Sequence, residues 1–101
     1  MTAYIVIIRN ETRDSEEIKR YAELAPRAPI DKLEIIAAKT NRFKILEGGP
    51  AEAVVILRFP TWDDALEWYD SDEYQEARAH RLRGADTRAA LVEGVDAPSA
   101  G

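Results

Sequence analysis

Two short segments of the chain are apolar at nearly every position. Tyr4 to Ile8 contains only apolar residues, and in Ala53 to Phe59 the one charged residue is Arg58. Successive side chains of a strand point to opposite faces, so both faces of these segments are hydrophobic. The pattern predicts two strands in the centre of a sheet, covered on both sides.

Weaker alternation predicts two further strands. Leu33, Ile35 and Ala37 begin one strand, which is predicted to resume from Phe43 to Leu46 after a bend or bulge at Thr40-Asn41. The last strand is predicted from Thr87 to Val92.

Capping residues predict where the helices begin. Asp14 or Ser15 is placed to cap a first helix that runs to Ala25 and ends at Pro26. Thr61, with Asp64 three residues later, resembles a capping box for a second helix. This helix is predicted to break and restart at Ser71, continue through Leu82, and end at Gly84 in a left-handed conformation.

The resulting order β-α-β-β-α-β predicts an α+β domain of ferredoxin-like fold, with a four-stranded antiparallel sheet and helices on one face. We expect one domain from residue 1 to residue 95 and a flexible C-terminal tail from residue 96 to residue 101. Because both faces of the central strands are apolar, the face without helices also needs a cover. A homodimer packed sheet to sheet would supply it; the alternative is a monomer that keeps this face for another protein.

Composition narrows the classes of partner and cofactor. The 101 residues include no Cys, one His and a net charge of −5. This argues against thiolate metal sites and against binding to phosphate backbones or anionic lipid, so we expect no metal, nucleic-acid partner or membrane. No Gly-rich phosphate loop follows a strand, so a site without a cofactor is the simplest prediction. The apolar run at Tyr4 to Ile8 has no basic leader before it, which predicts a cytoplasmic location.

The chain resembles the domain-of-unknown-function family DUF1330, within the dimeric α+β barrel superfamily. The resemblance covers roughly residues 3 to 95 and is carried by Phe59-Pro60, Ala65, Trp68-Tyr69, Ser71, Tyr74 and Val92-Glu93-Gly94-Val95. It implies a homodimer with a cleft beside the sheet and implies little about chemistry. The family commonly opens its second strand with Gly-Gly-Arg, whereas Leu33-Glu34-Ile35 stands here, so no role that depends on that Arg transfers to this chain.

The candidate chemistry begins with His80, the only side chain whose ordinary pKa lies near neutrality. It is a candidate general acid or base that Glu76, four residues earlier, is placed to orient; the alternative is a structural histidine near a helix end. Arg81 and Arg88 are predicted to approach Asp86 across the turn at Gly84, which would brace the corner between helix and strand. Alternatively, one Arg remains free to bind the carboxylate, enolate or phosphate of a small anion.

Aromatic residues supply the rest of the candidate site. Trp68 and Tyr69 lie about 100° apart on a helix, so they are not expected to be equally buried, and one of them is a candidate for lining a cleft. Tyr74 is a candidate hydrogen-bond donor to a ligand oxygen, or else satisfies itself on the backbone. Ser71 is best explained as a helix cap; the alternative is a contact to a ligand. Glu47 is either a buried base or a charged turn residue that faces water.

Two functional hypotheses follow. The first is a cofactor-independent isomerase, lyase or cyclase, in which His80, Arg81 and Tyr74 transfer protons on a carbonyl-containing metabolite. The second is a non-catalytic dimer that holds a small anion with Trp68, Tyr69, Ser71, Glu47, Asp86 and Arg88 around the same pocket. Oxygen chemistry of the monooxygenase kind, which occurs elsewhere in the superfamily, rests on fold analogy alone and ranks last.

Overall fold

The computed structural model describes residues 1–38 and 42–95. It contains strand β1 (Ala3–Thr12), helix α1 (Ser15–Leu24), a short 3₁₀ turn (Ala25–Arg27), β2 (Glu34–Ala38), β3 (Ala53–Phe59), α2 (Trp62–Asp70), α3 (Asp72–Gly84) and β4 (Ala85–Glu93). The predicted β-α-β-β-α-β order and the break in the second helix are confirmed. The predicted C-terminal tail and the predicted bulge at Thr40-Asn41 lie outside the described residues.

The four strands form one antiparallel sheet in the order β2-β3-β1-β4. The two apolar segments therefore occupy its centre, as their hydrophobic pattern predicted. In the β1–β3 register Ile5 lies opposite Leu57 and Ile7 opposite Val55, and these side chains face the helices. The predicted ferredoxin-like α+β class is confirmed.

The helices begin where the capping residues predicted. The Asp14 carboxylate accepts from the backbone N–H of Glu16 and Glu17, and Thr61 Oγ1 accepts from the N–H of Asp64. Ser71 Oγ accepts from the N–H of Tyr74 at 3.2 Å and donates to the carbonyl of Trp68 at 2.8 Å. Each cap satisfies backbone groups that a helix end leaves without partners.

Two local predictions were wrong. The second strand does not resume, because residues 42–46 form no strand; among the described residues, the pairing of β2 with β3 has a bulge between Ile35 and Ala37. Gly84 does not adopt a left-handed conformation; it is the last residue of α3, and the next residue, Ala85, is fully extended with φ −158°. The glycine is required for space instead, because a Cβ there would lie 2.8 Å from Glu17 Cβ and 3.0 Å from the Asp14 carbonyl oxygen.

The core fills one end of the layer between the sheet and the helices. Phe59, Trp68 and Tyr74 stack there, with ring centroids 5.6 Å apart for Phe59–Trp68 and 4.1 Å apart for Trp68–Tyr74. The other end of the same layer holds the smaller Ala53 and Val55. Large rings close one end of the layer and small side chains leave the other end open.

Candidate functional site

A cavity of about 120 Å³ lies at the open end, between the sheet and helices α1 and α3. Its floor comes from β1, β3 and β4, because Arg9 pairs with Ala53 on one side and with Thr87 on the other. The helices supply Ile18, Tyr21 and Arg81. Most of the wall surface is apolar, and its polar groups come from four elements: Arg9 on β1, Tyr21 on α1, Arg81 on α3 and Thr87 on β4.

Arg81 is one of two charged residues that line this cavity, and it is only 4% exposed. One terminal nitrogen donates to Thr87 Oγ1 at 2.6 Å, and the guanidinium carbon lies 5.9 Å from the centroid of the Tyr21 ring. Its Nε has no hydrogen-bond acceptor among the described residues, and no carboxylate of that part of the chain lies within ion-pair distance. A guanidinium cannot lose its proton in a protein, so this charge is buried without a counter-charge from the described residues.

Tyr21 and Tyr74 form a pair of hydroxyl groups beside the guanidinium, with their oxygens 2.9 Å apart. Tyr74 is fully buried, whereas Tyr21 is half-buried and lines the cavity. Burial, reinforced by the neighbouring Tyr74, raises the pKa of Tyr21 well above its ordinary value. The phenol is therefore neutral at physiological pH and remains a hydrogen-bond donor.

Arg9 also lines the cavity, but its charge is neutralised at the rim. Its Nε lies 3.1 Å from Glu52 Oε1, and Glu52 also accepts from the backbone N–H of Thr12 at 3.0 Å. Hydrogen bonds from Thr12 and the charge of Arg9 hold the pKa of Glu52 below its usual range. Arg81 is thus the cavity cation that the described residues leave uncompensated.

His80 does not line the cavity, and its predicted partner was wrong. Its Nδ1 contacts a carboxylate oxygen of Glu17 on α1, not Glu76, and Arg83 bonds the other oxygen of Glu17 at 3.3 Å. The hydrogen bond with His80 is the main cause that lowers the pKa of Glu17. This group, the Glu17 cluster (Glu17, His80 and Arg83), joins α1 to α3 on the outer side of the helices.

The predicted bracing of Asp86 by Arg81 and Arg88 was also wrong. Asp86 accepts instead from Asn10 Nδ2 at 3.4 Å, while Arg81 points into the cavity. Because side chains alternate along β4, Thr87 faces the helices and Arg88 faces the opposite side of the sheet. Arg88 and Glu47 line a separate hollow of about 380 Å³ on that side, together with Ile8 and Asn10.

The aromatic candidates divide as their helical spacing predicted. Trp68 is 5% exposed and belongs to the core, whereas Tyr69 lines a groove of about 250 Å³ between α2 and β4. The Tyr69 hydroxyl accepts from Arg78 Nε at 2.7 Å. Ser71 is engaged as the helix cap. Of the predicted site residues, only Arg81 lines the cavity, and Tyr74 reaches it through Tyr21. Trp68, Tyr69 and Ser71 contact Tyr74 but do not line the cavity, and Glu47, Asp86 and Arg88 lie elsewhere.

Besides Arg83, sequence reasoning missed four residues of the cavity and of the Glu17 cluster: Tyr21, Thr87, Arg9 and Glu17. Arg9 left a visible signal, because it follows Ile5 and Ile7 on the inward face of β1, where another apolar residue is expected. The other three became important only through partners on another element. Within residues 1–38 and 42–95 no group of three or more acidic or histidine side chains could hold a metal ion. No helix in those ranges is long and apolar enough to span a bilayer.

The model of a domain of unknown function, DUF1330, matches residues 2–95. The chain belongs to the DUF1330 family. The resemblance found in the sequence is thereby confirmed. A search of curated proteins finds no match to this DUF1330 domain.

Solved structures share the fold of this DUF1330 domain at low identity. The RPA0582 protein of unknown function from Rhodopseudomonas palustris superposes with a TM-score of 0.68 at 15% identity, over 93% of this chain and 82% of that chain. A dimeric ferredoxin-like protein of unknown function from Thermobifida fusca gives 0.62 at 14%, over 93% and 92%. SnoaB, a cofactor-independent oxygenase from Streptomyces nogalater, gives 0.53 at 8%, over 92% and 91%. At these identities the likeness shows the fold alone.

Proposed function

We propose that this DUF1330 domain is a homodimer that binds a small anionic metabolite in the cavity between the sheet and helices α1 and α3. The observation that carries the proposal is the Arg81 guanidinium, buried at the cavity wall without a carboxylate partner among the described residues. The DUF1330 family is a domain of unknown function, so the proposal rests on the geometry of the cavity.

The energetic argument is that a buried charge without a partner destabilises a folded protein. Desolvation of an ion costs several kcal/mol even after the surroundings relax, and a single hydrogen bond to Thr87 offsets only part of it. A bound anion would compensate the charge of the guanidinium that lines the cavity. Binding sites commonly keep such groups at a cost in stability, because those groups position the ligand.

We propose that the dimer forms through the face of the sheet that carries no helix. Its residues are apolar along the central strands and along part of β4, and they are half-buried or exposed in the single chain: Tyr4, Val6, Ile8, Val54, Ile56, Ala90 and Val92. A contiguous apolar face of this kind marks an interface. The Thermobifida fusca protein of the same fold is dimeric, which supports the same assembly here. A cytoplasmic location fits a chain without cysteine.

Proton-transfer catalysis is a second candidate, favoured by one observation. The Tyr21–Tyr74 hydroxyl pair lies beside the buried guanidinium, so a proton donor and a charge-stabilising group face the same cavity. In this alternative the acid is a phenol and not His80, whose ring is held by Glu17 away from the cavity lining.

Thermal unfolding in the presence of small anions tests the binding proposal. Acetate, butyrate, pyruvate and inorganic phosphate are each added to the full chain, with neutral amides as controls for solvent effects. At least one anion is expected to raise Tm in the wild type and not in Arg81→Gln, because only a ligand that binds the folded state stabilises it. Arg27→Gln removes the same charge from an exposed position and should retain the shift. Equal shifts in wild type and Arg81→Gln, or no shift with any anion, would contradict the proposal.

Analytical ultracentrifugation tests the dimer. Val6 lies between Ile56 and Ala90 on the sheet face without helices, so Val6→Lys is expected to convert a dimer into a monomer, while Glu73→Lys on an exposed helix position should not. A wild-type chain that sediments as a monomer would disprove sheet-to-sheet assembly.

A further inference from the structure

We infer that the anion is a short aliphatic monocarboxylate, and that the Tyr21 hydroxyl donates one of the hydrogen bonds that hold it. The inference rests on the proposed function, since it specifies the ligand of the same cavity. It adds a specificity-determining residue that the sequence did not indicate. Three features of the cavity carry it: the direction of a hydroxyl hydrogen, the charge balance of the wall, and the size and apolarity of the remaining space.

The first feature is the hydrogen of the Tyr21 hydroxyl. The Tyr74 hydroxyl is fully buried, and among the described residues its only side-chain partner is the Tyr21 oxygen. If Tyr21 were the donor, the hydrogen of Tyr74 would be buried without an acceptor, at a cost of about 1–3 kcal/mol. Tyr74 is therefore the donor, and the hydrogen of Tyr21 is left to point toward the cavity that Tyr21 lines.

Two donors then share one wall of the cavity. The centroid of the Tyr21 ring lies 5.9 Å from the Arg81 guanidinium carbon, and both residues line the cavity, so the Tyr21 hydroxyl and the guanidinium are the two donor groups. A carboxylate has two coplanar oxygens, each able to accept such a hydrogen bond. An amide or an alcohol would satisfy the donors but would leave the charge of Arg81 uncompensated.

The charge balance favours a single negative charge. Glu52 neutralises Arg9 at the rim, so the described wall offers one uncompensated cation, Arg81. A phosphate monoester carries about −1.5 to −2 charges at neutral pH and would bring a second negative charge, without a cation to pair it, against a mostly apolar wall. A monocarboxylate carries one negative charge, which compensates the charge of Arg81 and leaves no unpaired charge in the site.

The remaining wall sets the size and character of the rest of the ligand. Ile7, Ile18, Ala53 and Val55 are aliphatic and offer no hydrogen bond. An apolar cavity of about 150 Å³ in another protein accommodates benzene, so the volume of about 120 Å³ here fits a molecule of roughly five or six non-hydrogen atoms. Propionate and butyrate have this size, with a carboxylate at one end and an alkyl chain at the other.

The test is a titration of the full chain followed by the ¹H–¹⁵N signal of Arg81 Nε–H, assigned from the spectrum of Arg81→Lys, which lacks it. The probes are butyrate, its neutral isostere butyramide, and inorganic phosphate. Butyrate is expected to shift the signal and to bind at least tenfold more tightly than butyramide or phosphate. Tyr21→Phe keeps the ring and loses only the hydroxyl, and should weaken butyrate binding about tenfold; Arg27→Gln should leave it unchanged.

The outcomes separate the inference from the function on which it rests. If phosphate shifts the Arg81 signal and binds as tightly as butyrate, an anion site exists and the monocarboxylate inference is overturned. If Tyr21→Phe binds butyrate as well as the wild type, the role of the Tyr21 hydroxyl is disproved while the anion site stands. If no anion moves the signal, both the inference and the proposed function fail.

Discussion

His80 and Arg81 are adjacent in sequence but lie in opposite surroundings. His80 belongs to the Glu17 cluster on the outer side of the helices, where each charged group has a partner. Arg81 faces the cavity on the inner side, almost fully buried and without a carboxylate partner among the described residues. A rotation of about 100° between successive helical residues separates the two.

This difference separates charges that support the fold from charges available to a ligand. Paired charges at a part-exposed surface hold two helices together and lose little if solvent replaces them. A buried unpaired charge lowers stability unless something binds it. The unusual titratable group in the sequence was His80, yet the physical case for function is stronger at Arg81.

The largest expected effect comes from the residue on which both regions depend, Gly84. A Cβ there would lie 2.8 Å from Glu17 Cβ and 3.1 Å from Ile18 Cδ1, and these two residues belong to the Glu17 cluster and to the cavity wall. Gly84→Ala is expected to lower the free energy of unfolding by about 2 kcal/mol, because α1 must move away from α3. Urea denaturation measures this. Gly49→Ala, where a Cβ meets nothing within 4 Å, should stay near the wild-type value; equal losses would refute the steric explanation.

The next effect is on the free energy of unfolding, which should rise when Arg81 of the cavity is replaced and fall when Arg83 of the Glu17 cluster is replaced. Arg81→Met removes a buried unpaired charge and keeps apolar volume, so we expect the ligand-free protein to gain about 1–2 kcal/mol in free energy of unfolding. Arg83→Met removes a partner of Glu17 and should lower the stability by a smaller amount. Both are measured by urea denaturation in a buffer without small carboxylates. A loss of stability in Arg81→Met would show that Arg81 is a structural residue.

The Glu17 cluster should also respond to acid. The folded-state pKa of Glu17 is lowered, chiefly by its hydrogen bond with His80. Its contribution is therefore present above the unfolded-state value of about 4.3 and is lost as the pH falls through the folded-state pKa. The free energy of unfolding should drop less between pH 7 and pH 3 in Glu17→Gln than in the wild type. Glu16→Gln, an exposed acid of the same helical turn, should follow the wild type; identical slopes for Glu17→Gln would contradict the assignment.

The smallest expected effect is that of His80→Gln on the cavity. Because His80 does not line the cavity, butyrate affinity should stay within about twofold of the wild type, although α1 and α3 lose a contact. The Arg81 Nε–H titration measures it. A loss of affinity comparable with that of Tyr21→Phe would place His80 in the binding machinery and restore the acid–base hypothesis.

Local patterns predicted much of the fold. Capping at Asp14, Thr61 and Ser71 and the two apolar central strands follow from interactions within a few residues, so each was visible in the sequence. The restart of the second strand at Phe43 failed because alternation alone does not ensure a neighbouring strand with which to pair. The left-handed Gly84 failed because the glycine is needed for close packing of α1, which lies far away in sequence.

The candidate site was less accessible to sequence reasoning. Its partners are distant along the chain: Tyr21 meets Tyr74, and Glu17 meets His80, across 53 and 63 positions. For this reason the sequence predicted Glu76 as the partner of His80, whereas the structure has Glu17. Arg81 bonds to Thr87 and not to the neighbouring Asp86, because Thr87 is the one of the two that faces the helices. Sequence patterns relate residues that are close along the chain. The packing of α1 against α3 instead places Glu17 beside His80 and Tyr21 beside Tyr74.

The sequence by itself determined the order of elements and the central position of β1 and β3, because these depend on capping, periodicity and apolar runs that are local. The resemblance to DUF1330 was carried by motif residues such as Phe59-Pro60 and Trp68-Tyr69. An Arg free to bind an anion was only the alternative to pairing with Asp86. The tertiary structure alone decided that the Arg81 charge is buried without a described carboxylate partner, that Tyr21 shares its cavity, and that His80 lies outside. The physical reason is that burial and pairing of charges depend on the packing of α1 against α3 and the sheet, which no single segment encodes.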